Sequence, residues 1–464
     1  MTTPSWNSLS PLIHGITVVA GLLIYALSTH IGKQQRRPSV ALAWVVTITA
    51  FPYAGIPIFL LFGTRKFLRP QHLPVALSPD PLDPAAPVWA TRLLETMQID
   101  PLTCNTAVRL HKNGDESWRG LLDLIDSAQY ELDICTFLLG NDTIGGNIVD
   151  KLIARANDGV HVRLLLDAVG CLGTSGKQIK RLQYAGVQVC RFMPILHNPT
   201  RGRTNLRIHR KLALADRKKL WSGGRNLADE YFIDHRDRPA WIDLSFVIEG
   251  PLAIQAQSQF ERDWLFACGR RKDGEAVQVD EKPARGTIPA QWVPCGPDHA
   301  DDTIYNLLLA SSYHAETQIL AVTPYFVPND TLLEAWCMAC RRGVAITLIV
   351  PEKSNHQLAD LARGRALLAL VEAGARVLVY PEMVHAKMIA IDSELCLCGS
   401  LNLDGRSLFL NYEAMAVFYG RDEINWFQTW HTELAQRASV FAARRPSWIR
   451  DTIEGIVRVV GFQL

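Results

Sequence analysis

Residues 131–167, ELDICTFLLGNDTIGGNIVDKLIARANDGVHVRLLLD, are echoed by residues 317–351, TQILAVTPYFVPNDTLLEAWCMACRRGVAITLIVP. Each segment reads as a strand, a loop with Asn-Asp, an amphipathic helix, a Gly-Val turn and a second strand rich in leucine or β-branched residues. Asn141-Asp142 answers Asn329-Asp330, and Ala185-Gly186 answers Ala373-Gly374, both pairs offset by 188. A chain that repeats a strand–helix–strand unit at this distance builds the same α/β layer twice, as two mixed sheets flanked by helices. The expected body is a duplicated α/β unit with pseudo-two-fold symmetry, one half over 101–285 and the other over 286–440.

Residues able to carry chemistry recur at the matching place in each half. RIHRKLALADRKKLWSGGRN holds His209, Lys211 and Asp216, and VHAKMIAIDSELCLCGSLN holds His385, Lys387 and Asp392. Both read HxKxxxxD, and each leads to a small pair and an amide, Gly223-Gly224 with Asn226 and Gly399-Ser400 with Asn402, at a constant offset of 176. In an extended segment residues i and i+2 share a face, so each His projects together with its Lys. A single HxK carries little information. Two copies with the same downstream GGxN or GSxN, inside a repeat, mark one site built from both halves.

Two imidazoles and two ammonium groups suit phosphodiester exchange through a covalent phosphohistidine. One His attacks phosphorus while the other protonates the leaving alcohol and then deprotonates the incoming one. Lys211, Lys387, Asn226 and Asn402, with Gly224 and Ser400 beside them, are expected to surround the phosphoryl oxygens. No metal and no cofactor is called for. Asp216 and Asp392 complete the motifs, with a structural role in the turn after each strand as the alternative. Aligning WIDLSFVIEG (241–250) with NYEAMAVFYG (411–420) pairs Asp243 with Glu413. These carboxylates are expected to orient the imidazoles, Asp243 in the first half and Glu413 in the second.

The N-terminus sets the location. Residues 1–64 contain no Asp or Glu and only Lys33, Arg36 and Arg37, whereas the rest carries 45 basic against 46 acidic residues. A neutral body argues against nucleic acid as a partner. Pro11 to Ile31 is uncharged and long enough to cross a bilayer core of ~30 Å. A second apolar stretch runs from Val40 to Phe62, where Pro52 and Pro57 would kink it or make it re-entrant. The anchor is thus assigned to 1–69 with two spans, about 11–31 and 40–62, and the Pro-rich stretch 70–100 to a linker. Basic residues flank the second stretch on both sides, so the positive-inside count is a draw. The ten cysteines read as buried thiols, including the Cys337–Cys340 pair on an amphipathic helix, and favour a cytoplasmic body. The C-terminal segment 441–464 aligns Trp448, Ile449, Ile453 and Ile456 along an amphipathic helix.

With these motifs the sequence resembles the phospholipase D superfamily, and within it the bacterial cardiolipin synthases. The likeness covers almost the whole chain and includes FLLFG at 59–63, NGDE at 113–116, LLLDAVG at 164–170, PYFVPND at 324–330 and NLDGRSLFLNYE at 402–413. It implies a multi-pass protein of the bacterial inner membrane. The implied reaction is phosphatidyl transfer from one phosphatidylglycerol to another, giving cardiolipin and glycerol, with His209 as nucleophile and His385 as proton donor. The alternatives are a hydrolytic phospholipase D, a transferase using another lipid donor and, more remotely, a membrane-attached nuclease; the oligomeric state stays open. Ile208 departs from the family, where many members have Asn before the first His, and is expected to affect packing only.

Overall fold

The computed structural model describes residues 6–31, 38–63, 65–66, 86–194, 205–268 and 286–443. Helix Trp6–Ile31 carries the first apolar run, and its segment Pro11–His30 is the one stretch among the described residues long and apolar enough to cross a membrane. The second stretch, expected as a further span, breaks into helices Pro38–Ala50 and Pro52–Phe62, each short of a full crossing. Pro52 has no N–H to continue the helix and forces Phe51 to φ −136°, ψ 62°. The two helices then fold back on each other. The rings of Trp44 and Phe59 lie 5.2 Å apart, where one continuous helix would separate them by roughly 22 Å. Gly55 permits the approach, since a Cβ there would sit 2.9 Å from the Thr47 carbonyl. The first helix packs alongside, with His14 against Tyr53 and Tyr25 against Phe59. The two short helices thus form a hairpin against the first helix, and Phe59, near its end, lies beside Tyr25 in the last part of that helix.

In the body, seven strands form one sheet in the order Ala107–His111, Ser245–Glu249, Lys219–Gly223, Leu212–Ala215, Glu131–Thr136, His161–Asp167, Gln188–Phe192. The second sheet repeats that order with Ile288–Cys295, Glu413–Phe418, Leu395–Gly399, Met388–Ile391, Gln318–Val322, Ala345–Pro351, Arg376–Tyr380. In each, the final three strands are mutually parallel and the others antiparallel. The second sheet gains Ser439–Val440 at one edge and Thr103–Asn105 at the other, so the first strand of the first half completes the sheet of the second.

Strand alternation explains why these strands are apolar on both faces. Leu212, Leu214 and Phe246 pack into a core shared with Met388, Ala390 and Phe418 of the other sheet. Ala213 and Ala215 instead join Leu121, Leu124 and Ile148 of the outer helices Gly114–Ser127 and Thr143–Asn157. Helices Pro251–Cys268 and Arg421–Arg437 feed Phe260, Trp264, Phe427 and Trp430 into the shared core. The two halves are thereby fused over their inner faces, which brings the ends of the strands carrying His209 and His385 together.

Two expectations need adjustment. Residues 86–100 belong to the body, because helix Val88–Thr96 buries Ala90 and Leu94, which join Ala86 and Ile99 in the outer core of the second sheet. Cys190 and Cys268 form a disulfide, Cα–Cα 6.1 Å, where a strand and a helix from distant segments meet, so eight cysteines rather than ten are free and the thiols no longer favour the cytoplasmic side. The remaining Pro-rich stretch, 70–85, and the C-terminal helix expected around Trp448 lie outside the described residues.

Candidate active site

The chain segments that carry the two His motifs lie beside the strand starts of the opposite half. Ile208 bridges Tyr412 and Val384 bridges Ile242, both in parallel. The His209 N–H donates to the Tyr412 carbonyl at 2.9 Å, and the His385 N–H to the Ile242 carbonyl at 2.7 Å. The residue that follows each bridge partner is a carboxylate. His209 Nδ1 therefore meets Glu413 at 2.9 Å, and His385 Nδ1 meets Asp243 at 2.7 Å. Each carboxylate meets the imidazole of the opposite half, Glu413 that of His209 and Asp243 that of His385, where the sequence alignment pairs them within a half. An ionised carboxylate can only accept, so Nδ1 carries the proton and Nε2 keeps its lone pair.

Burial dominates the electrostatics. It pulls His209 down to about 4, helped by Lys211 and opposed by Glu413. His385 falls to about 3 through burial and then Lys387, against the pull of Asp243. Burial also lowers Lys211 to about 7 and Lys387 to about 8, against the attraction of Glu413 and Asp243. For Asp243 burial acts upward but is outweighed by Lys387 and His385, which hold it at about 2. Glu413 is likewise held below the ordinary range, where His209, Lys211 and Ser400 overcome its burial. The resting site thus presents two neutral imidazoles on two anionic carboxylates. Lys211 Nζ donates to the His209 carbonyl at 2.6 Å, while Lys387 Nζ lies against the His385 ring, 2.6 Å from Nδ1 and 3.0 Å from Nε2.

Other residues singled out from the sequence take different places. Asp216 accepts the N–H groups of Gln129, Tyr130 and Glu131 at 2.8, 2.8 and 2.9 Å. Asp392 does the same for Glu316, Thr317 and Gln318 at 2.8, 2.8 and 2.7 Å. Both stand in left-handed turns, φ 52° and 47°, at the far end of the strand from their His. They tie a turn to the neighbouring strand, and the structural alternative replaces their place in the catalytic set. Gly224 and Ser400 spend their N–H groups on the Leu244 and Ala414 carbonyls, so these donors are already used. Both residues support the carboxylates instead. A Cβ at Gly224 would fall 2.2 Å from Asp243 Oδ1, whereas Ser400 Oγ donates to Glu413 at 2.6 Å. Asn226 Nδ2 donates to the Tyr231 hydroxyl at 2.6 Å and Asn402 Nδ2 to Ser407 Oγ at 3.3 Å, with each Oδ1 buried and unpaired. Either hydroxyl can donate as well as accept, so an amide turned over would offer Nδ2 to a phosphoryl oxygen.

Several residues of the site escaped the sequence reading. Tyr231 and Trp241 pack on His385 with centroids at 5.1 and 5.5 Å, and Phe137 packs on His209 at 5.1 Å. Tyr231 occupies the repeat position of Ser407, so the 176-residue offset was the available signal. Arg210, between His209 and Lys211, points away to both oxygens of Asp263 at 2.5 and 2.6 Å. Ile208 is fully buried in the shared core, in keeping with a packing role. Among the described residues no group of three His, Cys, Asp or Glu is arranged to hold a metal ion.

The family model described as "Cardiolipin synthase, PLD-like domain" matches residues 121–264 and 309–435, one stretch in each half, and "Phospholipase_D-nuclease N-terminal" matches 21–63. Cardiolipin synthase 1 of Bacillus anthracis is 28% identical over 440 residues, covering 88% of this chain and 86% of its own length. Cardiolipin synthase A of Pectobacterium carotovorum is 30% identical over 426 residues, covering 85% of this chain and 86% of its own. A phosphatidylserine synthase of Haemophilus influenzae Rd KW20 shares the fold, with TM-score 0.62 at 14% identity over 81% of this chain and 100% of that one. With the family model matched across both halves and relatives aligned over most of their length, the chain belongs to the cardiolipin synthase family of the phospholipase D superfamily, enzymes of phosphatidyl transfer.

Proposed function

We propose that this enzyme joins two phosphatidylglycerols into cardiolipin and releases glycerol through a phosphohistidine. The observation that supports this reading best is the crossed pair of dyads, His209–Glu413 and His385–Asp243, each holding Nδ1 and leaving Nε2 its lone pair, which at His385 lies 3.0 Å from Lys387 Nζ. His209 Nε2 attacks phosphorus of the first lipid, and the bond to the glycerol oxygen breaks as His385 protonates it. A neutral His385 gains that proton once the bound phosphodiester anion lies between the imidazoles and favours the charged form. His385 then takes the proton from a glycerol hydroxyl of the second lipid. The resulting oxygen attacks phosphorus, the phosphorus–nitrogen bond breaks, and both imidazoles return to their starting state. Lys211 and Lys387 balance the charge that builds on the phosphoryl oxygens.

Water in place of the second lipid would yield phosphatidic acid, and a different donor would change the released alcohol. Reconstitution with labelled phosphatidylglycerol separates these: cardiolipin and glycerol in equal amounts are expected, and the absence of both would sink the reading. The body is assigned to the cytoplasmic side. Reading the 38–62 hairpin as re-entrant supports this, because the first helix then ends on the side where the hairpin leaves, next to Arg65 and Lys66, and the positive-inside count ceases to be a draw. A C-terminal tag should be cut by added protease in inverted vesicles and spared in spheroplasts; the opposite pattern would reverse the orientation.

A further inference from the structure

Arg65 and Lys66 follow the last anchor helix, and neither is left to solvent. Lys66 is 7% exposed. Its Nζ donates to the carbonyls of Gly296, His299 and Asp301 at 3.1, 3.0 and 3.3 Å and lies 2.9 Å from Asp302 Oδ1. Arg65 donates to Asp302 Oδ2 and lays its guanidinium over the Phe409 ring, 4.8 Å from the centroid. A buried ammonium is tolerated only when oxygens replace its water shell. Here four oxygens from one loop, more than 200 residues distant, do so.

Both contacts lead to the first imidazole. The loop that cages Lys66 follows strand Ile288–Cys295, and its Asp298 lies 4.0 Å from Arg210. Arg210 in turn donates to the carbonyls of Cys295 at 3.1 Å and Glu413 at 3.0 Å. On the other path, Phe409 ends helix Gly405–Phe409, and the Arg406 carbonyl of that helix accepts the N–H groups of Leu410 and Asn411. Asn411 Nδ2 donates to Glu413 Oε1 at 3.1 Å. Two lines of contact therefore join the end of the anchor to Glu413, one at its backbone carbonyl and one at the carboxylate that holds His209.

We propose that Arg65 and Lys66 are positioning residues, docking the membrane anchor onto the 296–302 loop and Phe409 so that a seated anchor sets the His209–Glu413 dyad. The anchor then acts on turnover itself as well as on location. This rests on the phosphodiester chemistry of the family and not on the identity of the donor lipid.

The test uses the full chain in detergent micelles with a protease site introduced in the Pro-rich stretch between residues 70 and 85. After cleavage the wild-type anchor fragment should co-purify with the body, and turnover of a water-soluble chromogenic phosphodiester should be kept. In Lys66→Gln and, separately, Asp302→Asn, cleavage should free the fragment and lower kcat by about ten- to hundredfold, the scale of a small misplacement at the reacting centre. KM and the melting midpoint of the body should hardly move, and Lys66→Arg should restore both docking and kcat. Release of the wild-type fragment on cleavage would overturn the proposal, and that arm decides even if a variant does not fold. So would retention of the fragment in both variants, or release with kcat unchanged. Loss of cardiolipin formation with normal diester turnover would bear on the donor lipid alone.

Discussion

Glu413 holds Nδ1 of His209 at 2.9 Å across 204 residues of sequence. Because His385 draws on Asp243 in the same crossed manner, neither half contains a complete dyad. Duplication here produced one shared centre in place of two separate ones. Alanine at either His should therefore abolish transfer, with no half-active enzyme; near-normal turnover in one of the two variants would contradict the shared site.

Replacing Glu413 by Gln keeps its shape but removes the charge that fixes the His209 tautomer. A fall in kcat of about 10³–10⁴ is expected, as for other carboxylate–imidazole pairs. Ser400→Ala removes a single donor to Glu413 and should cost far less, on the order of tenfold. Steady-state kcat in mixed micelles checks the ranking, and equal losses in the two variants would show that Ser400 does more than brace the carboxylate.

The Asp of each motif predicts a different outcome. Asp216→Ala and Asp392→Ala each take the acceptor from three N–H groups, most of them part-buried, and place a side chain poorly suited to positive φ in a left-handed turn. A stability loss of about 2–4 kcal/mol is expected for each, with kcat per folded molecule close to wild type. Asn, which tolerates that turn, should recover part of the stability. Thermal midpoints alongside turnover at low temperature test this; intact stability with lost turnover would return the aspartates to the catalytic set.

The repeat and both His motifs were legible because a constant offset survives along a chain. The crossing was not, since alignment pairs Asp243 with Glu413 by position and says nothing about which imidazole each meets in space. Gly224 and Ser400 looked equivalent for the same reason. Only the packing shows that the short Asp243 needs a neighbour without a Cβ, whereas Glu413 leaves room for a hydroxyl donor. The start of the body was readable and overlooked. Ala86, Ala90 and Leu94 recur at helical spacing, but the prolines before them pointed to a linker. Pro52 marked the break in the second apolar stretch, and the choice between a kink and a hairpin was settled by Gly55 against Thr47, a contact no composition reveals.

Lys211 at about 7 and Lys387 at about 8 give activity and stability opposite pH slopes. A Lys with a depressed folded value binds fewer protons than the unfolded chain between that value and about 10.4, so stability rises with pH over this window. Turnover moves the other way, because each lost ammonium takes positive charge from the phosphoryl oxygens. The melting midpoint should climb from about pH 7 to 10 while kcat falls above about pH 7. Lys387→Met should flatten the climb in midpoint, and a midpoint that falls in parallel with kcat would contradict the assignment. His209 at about 4 and His385 at about 3 act at the acid end. The unfolded chain binds the extra protons there, so stability should drop as pH falls from about 6.5 toward 4.

The last prediction assigns the two imidazoles their roles. Their surroundings are close to symmetric, since each has a carboxylate on Nδ1 and a Lys two residues on, so neither carboxylate alone distinguishes nucleophile from acid. The steps differ in what they demand. An acid is needed only to expel a poor leaving group, whereas the nucleophile is needed whatever leaves. A lipid carrying a good leaving group, such as a nitrophenyl ester of phosphatidic acid, should phosphorylate the enzyme without the acid. With His209 as nucleophile, His385→Ala should accumulate a labelled phosphatidyl adduct, because the base for the second step is also gone. His209→Ala should accumulate none. Intact-mass and acid-lability measurements read the adduct directly, and labelling that persists in His209→Ala but vanishes in His385→Ala would exchange the two roles.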